Sequence, residues 1–123
     1  MQALVIDDSR AVRMIIGNIL REVSMDVLEA GDGRQGIDQL ESHPDIELIL
    51  VDWNMPVMNG YEFIQAVRAQ RIYDHIRIMM VTTEAESEQV TKALEAGVNE
   101  YLMKPFTKEV LIAKLSMLDV LEY

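Results

Sequence analysis

Five short apolar runs, each followed by a stretch of helical periodicity, organise this chain of 123 residues. Short apolar runs read as strands and apolar residues at three- and four-residue spacing as helices, so the alternation predicts βα units winding one parallel sheet. The strands are expected at residues 2–7, 26–30, 48–52, 77–82 and 99–103. The third, Leu48-Ile49-Leu50-Val51 running into Asp52, is the most apolar and is expected at the centre, buried on both faces. The first helix carries Val12, Ile15, Ile16, Ile19, Leu20 and Val23 as an inward stripe. The second spans 34–42 with Ile37 and Leu40 inward and closes before Pro44, and the third bears Phe63, Ile64 and Val67. Thr83 and Glu86 have the spacing of a capping box for a fourth helix that runs to Gly97, a residue suited to a left-handed C-cap. The last helix is expected over 107–121, with Val110, Leu111, Leu115 and Leu118 on its apolar face.

This length fits one domain with its own core, here residues 1–123. No apolar run reaches the length of a membrane span, and Asp7 and Asp8 interrupt the start of the chain before any signal-like segment develops. The expectation is a soluble, cytoplasmic protein that acts as a monomer away from membranes. Eleven Lys and Arg against 21 Asp and Glu give a net charge of -10, which repels phosphate backbones and sets direct nucleic-acid binding aside. With no Cys there is no disulfide framework and no thiolate metal site. The nine Met residues read as adaptable core filler, and His43 and His75 as exposed residues without a ligand role.

Four strand ends carry the chemistry: Asp7-Asp8, Asp52, Thr82 and Lys104. In a parallel sheet these ends share one edge, and ligands of open α/β sheets bind outside that edge. Singly, each residue has a plain explanation: Asp8 or Ser9 as a helix cap, Thr83 likewise, Asp52 as a solvated turn residue, Lys104 as a loop charge. Together, three carboxylates, a hydroxyl and an ammonium make a functional cluster. Like charges crowded in this way call for a cation, and hard oxygen donors favour Mg²⁺. A carboxylate also attacks phosphorus to give an aspartyl phosphate, and Asp52, at the end of the central strand, is the best-placed nucleophile. Thr82 and Lys104 would then neutralise and position the phosphoryl oxygens.

Asp7-Asp8-Ser9-Arg10, Asp52-Trp53-Asn54-Met55-Pro56 with Asn59-Gly60, Thr82, and Lys104-Pro105-Phe106 resemble the receiver domains of two-component response regulators, over essentially the whole chain. Trp53-Asn54 and Glu84 are similar to the single-domain chemotaxis subgroup, so a receiver without an output domain is expected. The resemblance implies a doubly wound, flavodoxin-like (βα)5 fold with strand order 2-1-3-4-5. It implies phosphorylation of Asp52 by a histidine kinase, or slowly by acetyl phosphate, with Mg²⁺ held by Asp7, Asp8, Asp52 and the Asn54 carbonyl. Thr82 and Tyr101 correspond to a switch pair, Asn54 and Glu84 to positions that tune dephosphorylation, and the Lys104-Pro105 bond to a cis peptide. The output face implied is helix four, strand five and helix five, with Lys92, Tyr101, Lys108 and Lys114, read by the flagellar motor or another effector. Thr83 departs from the small residue usual there.

Two other functions fit parts of the pattern. A phosphatase of haloacid-dehalogenase type shares the nucleophilic Asp, the hydroxyl, the Lys and Mg²⁺, but needs a second Asp where this chain has Asn54. An interaction module that works without phosphorylation would have no use for the complete cluster.

Overall fold

In a computed structural model, which describes residues 1–83 and 88–121, the alternation becomes β1 (Gln2–Ile6), α1 (Arg10–Glu22), β2 (Asp26–Ala30), α2 (Gly33–Ser42) and β3 (Ile46–Asp52). There follow α3 (Gly60–Arg68), a single 3₁₀ turn (Arg71–Tyr73), β4 (Arg77–Thr83), α4 (Val90–Ala96), β5 (Glu100–Lys104) and α5 (Lys108–Met117). The strands are parallel in the order β2-β1-β3-β4-β5, the expected doubly wound topology.

Strand alternation sorts the core into two layers. Leu4, Ile6, Ile49, Val51, Ile78 and Met80 pack with Ile37, Leu40, Phe63, Ile64, Val67 and Ala93, residues of α2, α3 and α4. The intervening residues Ala3, Val5, Leu48, Leu50, Met79 and Val81 pack with Ile16, Ile19 and Leu20 of α1 and Leu111 and Leu115 of α5. Central β3 is therefore wanted by both layers, and Leu48 through Val51 are fully buried. Each such side chain contributes about 1.5–3 kcal/mol of transfer free energy.

Several boundaries shift for identifiable reasons. Asp7 falls just past β1: its N–H still donates to the Ala30 carbonyl at 3.1 Å, but its own carbonyl accepts the Arg13 guanidinium at 2.6 Å. Asn99 precedes β5 because its side chain accepts the Ile78 N–H at 2.8 Å. Ile15 and Val110 lie at the margins of their helical stripes and are 53% and 44% exposed rather than inward. Met25, Met79 and Met80 fill core, whereas Met14 and Met117 are exposed. His43 is half-buried, its ring Nδ1 3.0 Å from the Gln39 carbonyl at the end of α2, while His75 is exposed as expected. Thr83 closes β4 in register with Lys104, and the N-cap position of α4 is Gln89, without a side-chain capping bond. Glu84 and the capping-box partner Glu86 lie outside the described residues. Gly97 ends α4 at φ 113°, the expected left-handed cap.

Arg68, the last residue of α3, holds the opposite end of the molecule together. Its guanidinium donates to the carbonyls of Gly97, Tyr73 and Ile76 and to Asn99 Oδ1, at 2.9, 2.9, 2.7 and 3.0 Å. Burial lowers its pKa against the opposing pull of Asp74, yet a guanidinium stays charged. Arg68→Ala should cost about 2 kcal/mol, since water can reach only part of the orphaned set. Arg68→Lys should recover little, because one ammonium cannot span four acceptors. Urea unfolding checks both, and a midpoint unchanged in Arg68→Ala would refute the clamp.

Candidate functional site

The carboxyl edge of the sheet gathers the expected residues. Asp7 follows β1, Asp52 ends β3, Thr82 stands one residue before the end of β4, and Lys104 ends β5. Strand register brings them level, with Asp52 beside Val81 and Thr83 beside Lys104. Asp7, Asp52 and Thr82 are buried, whereas Asp8 is exposed at the mouth. A carboxylate oxygen from each of Asp7, Asp8 and Asp52 lies within 4.8 Å of the others.

Asp7 and Asp52 are each held by the local backbone. Asp7 Oδ1 accepts the Ser9 N–H at 2.8 Å, and Ser9 Oγ in turn caps α1 by accepting the Val12 N–H at 3.2 Å. Asp52 Oδ1 accepts the Trp53 N–H at 3.0 Å. The loop after Asp52 folds back so that Gly60 N–H donates to the Trp53 carbonyl at 3.0 Å, and the Asn59 and Glu62 capping box then starts α3. Thr82 Oγ donates to the Thr83 carbonyl at 3.3 Å.

Lys104 spans the cluster, its Nζ 3.0 Å from Asp7 Oδ2 and 3.4 Å from Asp52 Oδ1. Burial works against this ammonium, but the hydrogen bond to Asp7 and the charges of Asp52 and Asp7 outweigh it and hold the pKa above the ordinary lysine value. The Lys104-Pro105 peptide is cis, as expected. One ammonium against three carboxylates leaves a surplus of negative charge. That surplus, made wholly of hard oxygen donors, fits a divalent cation with oxygen preference.

Arg13 was missed by the reading of the sequence. Its guanidinium joins the Asp7 carbonyl to Glu29 Oε1, at 2.6 and 3.0 Å, and so anchors α1 beside the site. The signal lay in its place one turn into the helix that follows Asp7.

The residues expected on the output face separate. Tyr101 is half-buried on β5, with Lys114 Nζ 4.3 Å above its ring. Lys114 is anchored at 3.1 Å by Glu100 Oε1, which also accepts the Tyr101 N–H at 3.0 Å. Lys108 instead pairs with Glu22 at the end of α1. Lys92 turns toward α3, its Nζ 4.3 Å from the centre of the Tyr61 ring. Asn54 is exposed beside Asp52. Among the described residues, no helix is long and apolar enough to cross a membrane.

Comparison with known proteins gives the same picture across the chain. Residues 3–116 match the model of the response regulator receiver domain. A chemotaxis protein CheY homolog of Campylobacter jejuni is 48% identical over 122 residues, covering 98% of this chain and 92% of its own. Chemotaxis protein CheY1 of Helicobacter pylori is 44% identical over 118 residues, covering 95% of each. The solved structure of the chemotaxis response regulator CheY4 of Vibrio cholerae superposes with a TM-score of 0.87 at 34% identity, over 94% of this chain and 96% of that one.

Proposed function

The chain belongs to the response regulator receiver domain family, and from that premise we propose that Asp52 accepts a phosphoryl group and thereby switches a chemotaxis-type signal in the cytoplasm. The observation that carries this reading is the Lys104 ammonium bridging the buried Asp7 and Asp52 within an acid cluster at the sheet edge. The carboxylate is held in place at the sheet edge, and the ammonium is ready to meet charge that arrives on a phosphoryl group.

In the transfer, an Asp52 carboxylate oxygen attacks the phosphorus of a phosphohistidine on the kinase. The P–O bond forms as the P–N bond breaks, and the electron pair leaves with the imidazole, which takes up a proton. With acetyl phosphate the breaking bond is P–O and acetate departs. Asp7, Asp8, Asp52 and the Asn54 carbonyl would hold Mg²⁺, whose charge, when bound, offsets that of the phosphoryl oxygens. Thr82 and Lys104 bind those oxygens in the product. Asn54 and Glu84 set how quickly water hydrolyses it. Thr82 moving toward the phosphoryl group makes room for Tyr101, and the α4, β5 and α5 surface around Tyr101 and Lys114 reports the change to an effector such as the flagellar motor. Lys114 over the Tyr101 ring means that this swing must also release an ammonium held by Glu100.

Intact mass after incubation with acetyl phosphate and Mg²⁺ should show one added phosphoryl group, absent from Asp52→Asn. Steady turnover of a phosphate ester, or a full mass gain in Asp52→Asn, would overturn the reading.

A further inference from the structure

We propose that Lys92 and Tyr61 form a latch that ties α4 to α3 and, through Trp53, to the phosphorylation site. The inference deepens the phosphoacceptor reading and rests on it. The contacts form an unbroken line. Asp52 Oδ1 accepts the Trp53 N–H at 3.0 Å, and the Trp53 ring packs on the Tyr61 ring with centroids 5.5 Å apart and planes tilted by 41°. Lys92 Nζ closes the line 4.3 Å from the Tyr61 centroid, well inside the range over which a ring quadrupole attracts an ammonium.

The two ends of this line are not equally fixed. Tyr61 is the second residue of α3, whose start is locked by the capping box of Asn59 and Glu62 and by Gly60 bonded to Trp53. By contrast α4 is anchored at its far end, where Arg68 holds the Gly97 carbonyl, while its N-cap Gln89 makes no side-chain capping bond. Lys92 is the third residue of α4, so its contact with Tyr61 restrains the half of the helix that lies away from the Arg68 anchor.

This gives the latch a direction. With Lys104 bound directly to the Asp52 carboxylate, the arrangement is the one that precedes phosphoryl transfer. Movement of Thr82 toward a phosphoryl group pulls the end of β4, and α4 follows at the end away from Arg68. Lys92 then leaves a ring that stays with α3. The latch thus favours the arrangement before transfer, and its loss should ease activation.

Titration of the full chain with beryllofluoride in saturating Mg²⁺, followed by Trp53 fluorescence, tests this by its midpoint. Lys92→Met and Tyr61→Leu should each lower the midpoint about two- to fivefold, the worth of one exposed ammonium–ring contact. The double variant should go no lower than either alone. Lys92→Arg and Tyr61→Phe, which keep a cation and a ring, should stay at the parent midpoint; a residue that merely supports the fold would show no such rescue. Raised or unchanged midpoints in Lys92→Met, or additive shifts in the double variant, overturn the latch. A parent chain that neither gains phosphoryl mass nor answers beryllofluoride removes the phosphoacceptor reading and the latch with it. A parent that answers while the variants match it removes the latch alone.

Discussion

Gly60→Ala should lower stability by about 3–4 kcal/mol, a fall of about 10–15 °C in Tm for a chain of this size, and should slow phosphoryl uptake as well. A Cβ on Gly60 would stand 2.2 Å from the Asp52 carbonyl oxygen, 3.0 Å from Trp53 Cα and 3.1 Å from the Asp52 carbonyl carbon. All three are backbone atoms, so no rotamer change relieves the clash. Either α3 backs away from β3, stretching the Gly60 to Trp53 hydrogen bond, or Asp52 itself moves. Gly36 is the control. Its Cβ would meet Ile6 Cδ1 at 2.6 Å and Phe63 Cε2 at 2.9 Å, the outer ends of side chains rather than backbone. Gly36→Ala should therefore cost about 1 kcal/mol and leave phosphoryl uptake at the parent rate. Equal losses of stability in the two variants, measured by urea unfolding, would defeat the argument.

Gly60 also illustrates what was legible in the sequence and what was not. The Asn59-Gly60 pair could be read as a turn before a helix. That its glycine is required by close approach to Asp52 is a fact of tertiary packing that no local pattern carries. The sheet was legible because each strand is a local apolar run, and the site was legible because topology alone brings strand ends to one edge. Asp7, Asp52 and Lys104 accordingly meet, and Thr82 is buried at the same sheet edge, as the spacing of strands and helices implied. Arg68 was not legible. Its four acceptors lie between 5 and 31 residues along the chain, and three are carbonyls, which look alike in every sequence. The directions of Lys92 and Lys108 escaped for a related reason. Helical position gave their exposure, but the partners that orient them, Tyr61 and Glu22, sit on other helices. Val57 is a third case: it holds φ 68° in the loop beside Asp52, where nothing in a β-branched residue announces a left-handed backbone.

Mg²⁺ should stabilise the fold by about 2.7 kcal/mol when present at 100 times its dissociation constant, and by about 4.1 kcal/mol at 1,000 times, because only the native chain assembles Asp7, Asp8 and Asp52 within reach of one ion. The electrostatics of the cluster set the sign. Lys104 already engages Asp7 and Asp52, at 3.0 and 3.4 Å, so the charge with the least compensation among the three acids is that of Asp8. Asp8→Asn removes that charge without touching either ion pair. In metal-free buffer the variant should therefore be more stable than the parent, since like-charge repulsion falls and no partner is orphaned. In Mg²⁺ the order should reverse, because the variant has lost a carboxylate ligand and gains little from the ion. Asp8 is exposed, so the metal-free gain should shrink as NaCl is added, whereas the Mg²⁺ effect in the parent should persist at matched ionic strength. Thermal melts of both chains with and without Mg²⁺ give all four values, and Trp53 emission should follow the same titration in the parent. A parent Tm indifferent to Mg²⁺, or an Asp8→Asn chain that gains as much from the ion as the parent does, would mean that these three carboxylates are not a metal site.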